Sequence, residues 1–123
     1  MADELQIQQY LNFSKNGASI VKQLSLNYTV AGEDYANNTQ DISTSDTILD
    51  LGNITTPGFA WIKNLDDTNF VEVGMMIGGP AYHYFIKLGP GKAMLAPLNV
   101  ASNAVALKAD TATVTVEFAV VEA

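Results

Sequence analysis

Residues 59 to 77 fall into period-2 rows on both sides of a polar break, which is the pattern of extended chain and not of helix. Before the break, Phe59, Trp61, Lys63 and Leu65 make one row and Ala60, Ile62 and Asn64 the other. After it, Val71, Val73, Met75 and Ile77 alternate with Phe70, Glu72, Gly74 and Met76. The break itself, Asp66-Asp67-Thr68-Asn69, consists of residues whose short side chains bond nearby backbone and tolerate tight turns. The spacing predicts one β-hairpin, with the only tryptophan of the chain in its first strand.

The rest of the chain keeps the same period. Leu5, Ile7, Leu11 and Phe13 share one face of a half-buried strand over residues 4–14, against Glu4, Gln6, Gln8, Asn12 and Ser14. Asn16-Gly17 turns the chain, and Ile20, Leu24, Leu26, Tyr28 and Val30 continue in even register. Lys22 interrupts that row, which suits a sheet edge protected from pairing with other chains. Residues 31–47 are polar and read as a long connection with room for one short edge strand. Ile48, Leu49 and Leu51 begin the next strand, Thr56-Pro57-Gly58 leads into the predicted hairpin, and Gly78-Gly79-Pro80 ends it. Tyr82, Tyr84, Ile86 and Leu88 then share one side of a strand, opposite His83, Phe85 and Lys87, and Gly89-Pro90-Gly91 reads as another hairpin turn. Pro97 belongs at an edge or strand end, after a short strand from Ala93. Residues 104–109 form a further strand, and the last, 112–121, turns Val114, Val116, Phe118 and Val120 inward.

About seven to nine short strands with frequent turns and no helical window predict an all-β fold, an antiparallel β-sandwich or jelly roll. The whole of residues 1–123 is expected to be a single domain, with residues 1–14 available as an assembly arm. Its core is expected from Leu24, Leu26, Trp61, Ile62, Val71, Val73, Ile86, Val114, Val116 and Phe118.

Charge narrows the function classes. Charged residues are 15% of the chain, below the usual share of about 25%, so Asn, Gln, Ser and Thr must cover the surface. The six basic residues are all lysines, against 13 Asp and Glu, for a net charge of −7. Such a chain repels a polyanion and lacks the arginine fork, so nucleic acid is set aside as a partner. The same balance weighs against an anionic membrane surface. No cysteine is present, which removes disulfides and thiolate chemistry. The first residues lack a basic region followed by an apolar run, so no secretory signal is expected, and the sequons at Asn12, Asn27, Asn37 and Asn53 read as accidental triplets. No apolar run reaches the length of a membrane-spanning helix.

Catalytic readings fail on their requirements. His83 is the lone histidine, and a catalytic base needs a nucleophile and an orienting acid; between two tyrosines it reads as a wall or interface residue. One histidine and no cysteine do not make a zinc site. Asp66 and Asp67, with Glu72, have the oxygen chemistry for calcium, but their spacing matches no calcium loop and a solvated turn explains them better. No carboxylate pair stands out for glycoside hydrolysis. Gly89-Pro-Gly-Lys92 lacks the spacing of a phosphate loop. Tyr82, Tyr84 and Trp61 are the candidates for a sugar-stacking platform, a role that such aromatics take less often than filling a core. No catalytic residue, metal or cofactor is assigned.

The run Thr56-Pro-Gly-Phe-Ala-Trp-Ile-Lys-Asn-Leu-Asp66, the run Thr68-Asn-Phe-Val-Glu-Val-Gly74, the tyrosine-rich strand and Lys87-Leu-Gly-Pro-Gly91 together resemble small β-proteins encoded among the structural genes of tailed bacteriophages. These share an aromatic-rich strand, an Asn-x-Asp turn, an Asn-aromatic-Val-x-Val/Ile-Gly strand and a later Pro-Gly turn. Here Trp61, Asn64, Asp66, Asn69, Phe70 and Gly74 carry the pattern, within residues 48–98. The resemblance implies a non-enzymatic virion component, foremost a capsid decoration or cement protein. It would be made in the bacterial host cytoplasm and bind the major capsid protein or other virion proteins. The alternatives are a neck or tail adaptor or baseplate component, and a carbohydrate-binding jelly roll. A homo-dimer or homo-trimer is expected, because the predicted hairpin does not need the row of Leu5, Ile7, Leu11 and Phe13, which can add to a neighbour's sheet edge; the alternative is that this strand completes its own sheet.

Overall fold

The computed structural model describes residues 4–76, 81–98, 101 and 104–122. In chain order its strands are β1 (Leu5–Lys15), β2 (Ala18–Tyr28), β3 (Tyr35–Ile42), β4 (Thr47–Ile48), β5 (Pro57–Asn64), β6 (Val71–Met76), β7 (Tyr82–Leu88), β8 (Ala93–Pro97), β9 (Val105–Ala109) and β10 (Val114–Glu122). All pairings are antiparallel, and no α-helix occurs among the described residues. The all-β expectation holds, with ten strands in place of seven to nine. The chain divides into two compact units, Met1–Ala31 and Gly32–Ala123.

The first unit is the β1–β2 ribbon. A two-residue hairpin turn that follows the right-handed twist of its strands needs positive φ at both central positions; Asn16 (φ 52°) and Gly17 (φ 82°) meet that need as the Asn-Gly pair predicts. The register then runs from Lys15 opposite Ala18 to Leu5 opposite Tyr28. Leu5, Ile7, Leu11 and Phe13 therefore share a face with Ile20, Leu24, Leu26 and Tyr28. The Val30 amide donates to Glu4 Oε1 at 3.0 Å near the open end. The strand is not half-buried as its alternation implied, since every residue from Gln8 to Ser25 is exposed. Leu24 and Leu26 are accordingly no part of the core: Leu24 is exposed and Leu26 half-buried. Of residues 1–14, those from Leu5 onward are paired with β2.

The second unit is a sandwich of two four-stranded sheets, ordered β3-β10-β5-β8 and β4-β9-β6-β7. One apolar cluster joins them. Ile42, Ala60, Ile62, Val114, Val116, Phe118 and Val120 come from the first sheet, and Val71, Val73, Leu88, Val105, Leu107 and Ala109 from the second. Leu49, Leu51 and Ile54 fill the same core from the β4–β5 connection, so the strand expected from Ile48 to Leu51 is only Thr47–Ile48, followed by a loop that buries these three side chains and leaves Asp50, Gly52 and Asn53 exposed. The polar stretch 31–47 supplies β3, an eight-residue edge strand paired with β10. Pro97 ends β8, itself an edge strand, where its missing amide does no harm.

The predicted hairpin over residues 59–77 does not form. Its two halves are β5 and β6, and they lie in different sheets: β5 pairs with β10 and β8, β6 with β7 and β9. The connecting residues have no positive φ, unlike Asn16-Gly17, and they run from one sheet to the other instead of folding back in plane. Gly89-Pro90-Gly91 is likewise a turn but not a hairpin, since β7 and β8 belong to opposite sheets. The predicted end of the hairpin, Ile77 to Pro80, lies outside the described residues. Trp61 faces outward on β5 between Ala119 and Leu95 and is only half-buried, while its neighbours Ala60 and Ile62 point into the core. A register shift between Val73 and Gly74 also breaks the row expected on β7: Ile86 opposes Val73 and packs on the core, whereas Tyr84 opposes outward-facing Gly74.

Candidate functional site

The ribbon is the first candidate. On one face, Leu11 is 58% exposed, Phe13 46% and Leu24 46%, with Ile20 beside them. Of the row expected to serve assembly, Leu11 and Phe13 are open, Leu5 is half-buried and Ile7 is buried. Lys22 stands opposite Leu11 in the middle of this face. The other face carries exposed Tyr10 and Val21. A shallow hollow of about 270 Å³ lies between Gln9–Leu11 and Lys22–Leu24.

The second candidate is the pair of crossing turns that carries Asn64, Asp66, Asn69 and Phe70. Asn64 is fully buried at the end of β5. Its Nδ2 donates to the carbonyls of Asn69 (2.9 Å) and Leu88 (3.0 Å), and its Oδ1 accepts from the Asp66 amide (2.8 Å). Its backbone amide donates to Lys92 O, and its carbonyl accepts from the Gly91 amide. One side chain thus ties the β5–β6 crossing to the β7–β8 crossing. Asp66 then organises the loop: its Oδ2 accepts from the amides of Asn69 (2.6 Å) and Thr68 (2.9 Å). These bonds, the Asn69 amide foremost, hold its carboxyl below the ordinary aspartate value. Asn69 Oδ1 accepts from the Thr111 hydroxyl. Phe70 lies under the Lys87 ammonium, 4.3 Å from the ring centre.

Gly74 has a steric role on the outer face of the second sheet. A Cβ there would come within 2.6 Å of His83 O and 2.7 Å of the Tyr84 ring. The Tyr84 hydroxyl donates to Asp46 Oδ1 at 2.7 Å, and Lys108 Nζ stands 5.7 Å from its ring centre. Burial first, then the Asp46 carboxylate, pushes the Tyr84 hydroxyl well above the ordinary tyrosine range.

The residues considered for chemistry do not converge. Trp61 lies on the outer face of one sheet and Tyr82 and Tyr84 on β7 of the other, so the three make no common platform. Asp66 spends its Oδ2 on backbone amides, and Glu72 sits across from Lys108 and Lys87 on the second sheet, apart from that loop. His83 is exposed opposite Met75. Among the described residues, no group of three His, Cys, Asp or Glu is placed to hold a metal ion.

One arrangement carries no sequence motif. Glu122 Oε1 accepts from the amides of Glu33 and Asp34, and Oε2 from the amide and hydroxyl of Thr55, which hold its carboxyl below the usual glutamate value, the Thr55 amide foremost. No local spacing announces partners 67 to 89 positions away. The contribution of Ile20 and Leu24 to the ribbon face was legible, by counting outward from the Asn-Gly turn. Comparison with known proteins finds no family model, no curated protein and no solved structure that matches this chain.

Proposed function

We propose that this chain is a non-enzymatic structural protein of a phage virion, foremost a decoration protein that binds and stabilises the head. The observation that carries the reading is the ribbon, whose Leu11, Phe13, Ile20 and Leu24 stand in water on one face of a two-stranded sheet. A two-stranded ribbon is marginally stable by itself, and apolar groups presented in this way mark surfaces that proteins cover with a partner. The sandwich complements it as a stiff body, since Asn64 ties its two crossing turns together. The virion context comes from the resemblance of residues 48–98, and the partners are then the major capsid protein or another virion protein, with the chain itself assembled as a homo-oligomer. The sugar-binding alternative loses its ground because Trp61 is separated from Tyr82 and Tyr84.

The test is to locate the protein on intact particles by electron microscopy with a specific antibody. Labelling over the head is the expected result. Labelling confined to the neck or tail would give the adaptor role instead, and absence from purified particles would overturn the virion reading.

A further inference from the structure

Charge is divided unevenly between the two units. Met1–Ala31 has two lysines and two carboxylates, Asp3 and Glu4, both of which precede β1, whereas Gly32–Ala123 has four lysines and eleven carboxylates. One of the two ribbon lysines, Lys22, occupies the centre of the apolar face, opposite Leu11 and between Ile20 and Leu24 along its own strand. That position restricts what can cover the face. A second ribbon packed face to face would bring lysine toward lysine with no carboxylate in either paired strand to compensate, which is unfavourable once water is excluded. The cover must offer apolar surface with a carboxylate beside it.

The sandwich has such a place at its crossing turn. Leu65 is 44% exposed there, next to exposed Asp67 and to the Asp66 carboxylate, which two backbone amides orient. An open hollow of about 430 Å³ adjoins them, lined by residues 63–67 with Pro90 and Gly91. Lys63 on its rim has Glu117 as its cross-strand neighbour, so that cation has a carboxylate of its own nearby. Because Asn64 and Asp66 already order this turn, little conformational freedom remains to be lost on binding.

We propose that the ribbon of one copy docks on the turn at residues 64–67 of a second copy, with the Leu11, Phe13 and Leu24 face over Leu65 and with Lys22 beside Asp67. The inference rests on the reading of the ribbon as an assembly element and adds its partner. The two surfaces differ, so the contact is head-to-tail, and copies joined this way close into a ring or extend into a filament.

Sedimentation of the full chain at concentrations up to about 100 µM tests it. An oligomer that weakens as salt is raised is expected. Lys22→Glu and Asp67→Lys should each weaken association about tenfold or more, and the double variant should return to within about threefold of the parent, because the charges are exchanged across the contact. Both positions are exposed, and far-ultraviolet dichroism verifies that the variants keep their fold. Association unchanged by Lys22→Glu, or no recovery in the double variant, overturns the proposal. A chain that stays monomeric yet labels phage heads overturns it too and leaves the virion reading standing, whereas a charge-exchangeable oligomer absent from particles does the reverse.

Discussion

Asn64 engages every polar group of its side chain while fully buried, so its replacement by Leu removes more than volume. The carbonyls of Asn69 and Leu88 lose a donor and the Asp66 amide loses its acceptor. With about 1–3 kcal/mol for each polar group left unsatisfied in the interior, Asn64→Leu should lower stability by about 3 kcal/mol or more in urea unfolding. A change under about 0.5 kcal/mol would show that the crossings hold without it. Gly74→Ala makes a different demand, because the added methyl meets the His83 carbonyl, a backbone atom that cannot rotate away. A loss of about 1–3 kcal/mol is expected there. Two carboxyls govern the response to acid. Asp66 and Glu122 both have folded-state pKa values below their unfolded ones, set chiefly by the Asn69 and Thr55 amides. Their contribution to stability is present above the unfolded values of about 4 and is lost as pH falls through the lower folded values. The melting temperature should therefore drop on acidification below about pH 4.5, and Glu122→Gln should flatten that drop.

At the level of elements, the sequence was legible wherever one local rule sufficed. The Asn16-Gly17 turn defined the ribbon and its register, and the alternation of Val114, Val116, Phe118 and Val120 identified the face that β10 buries. The β5–β6 crossing was not legible, because two strands joined by a polar turn have the same alternation whether they pair or arch across a core. What accompanies the crossing is the set of long-range bonds of Asn64, to Leu88, Gly91 and Lys92, and periodicity does not carry them. Trp61 was misplaced for a related reason: Trp61 and Ile62 are adjacent, so only one of them can face inward, and Ile62 does. Strand alternation was likewise read as burial for β1 and β2, although an amphipathic ribbon has the same pattern when nothing covers it. The consequence is measurable. Leu11→Gln and Leu24→Gln should leave the unfolding midpoint of the sandwich within about 0.5 kcal/mol of the parent, whereas Phe118→Ala should cost about 3–5 kcal/mol.

At the level of the whole molecule, every member of the core cluster among the described residues lies between Ala36 and Val120, within the second unit. The hydrogen bonds that secure the start of the second unit are internal to it as well, with Glu122 binding the amides of Glu33, Asp34 and Thr55. A unit spanning residues 32–123 also exceeds the size at which small domains stop folding alone. Residues 32–123 produced without the ribbon should therefore unfold cooperatively, with a β-type far-ultraviolet spectrum and a melting temperature within about 5 °C of the full chain. The same fragment should have lost self-association, because it keeps the turn at residues 64–67 but not the surface proposed to dock there. A fragment that does not fold would make the ribbon a stabilising part of the sandwich, and one that folds yet still oligomerises would move the contact elsewhere on the two sheets. A folded, monomeric fragment is the outcome that fits a body carrying its own core and a separate adhesive element.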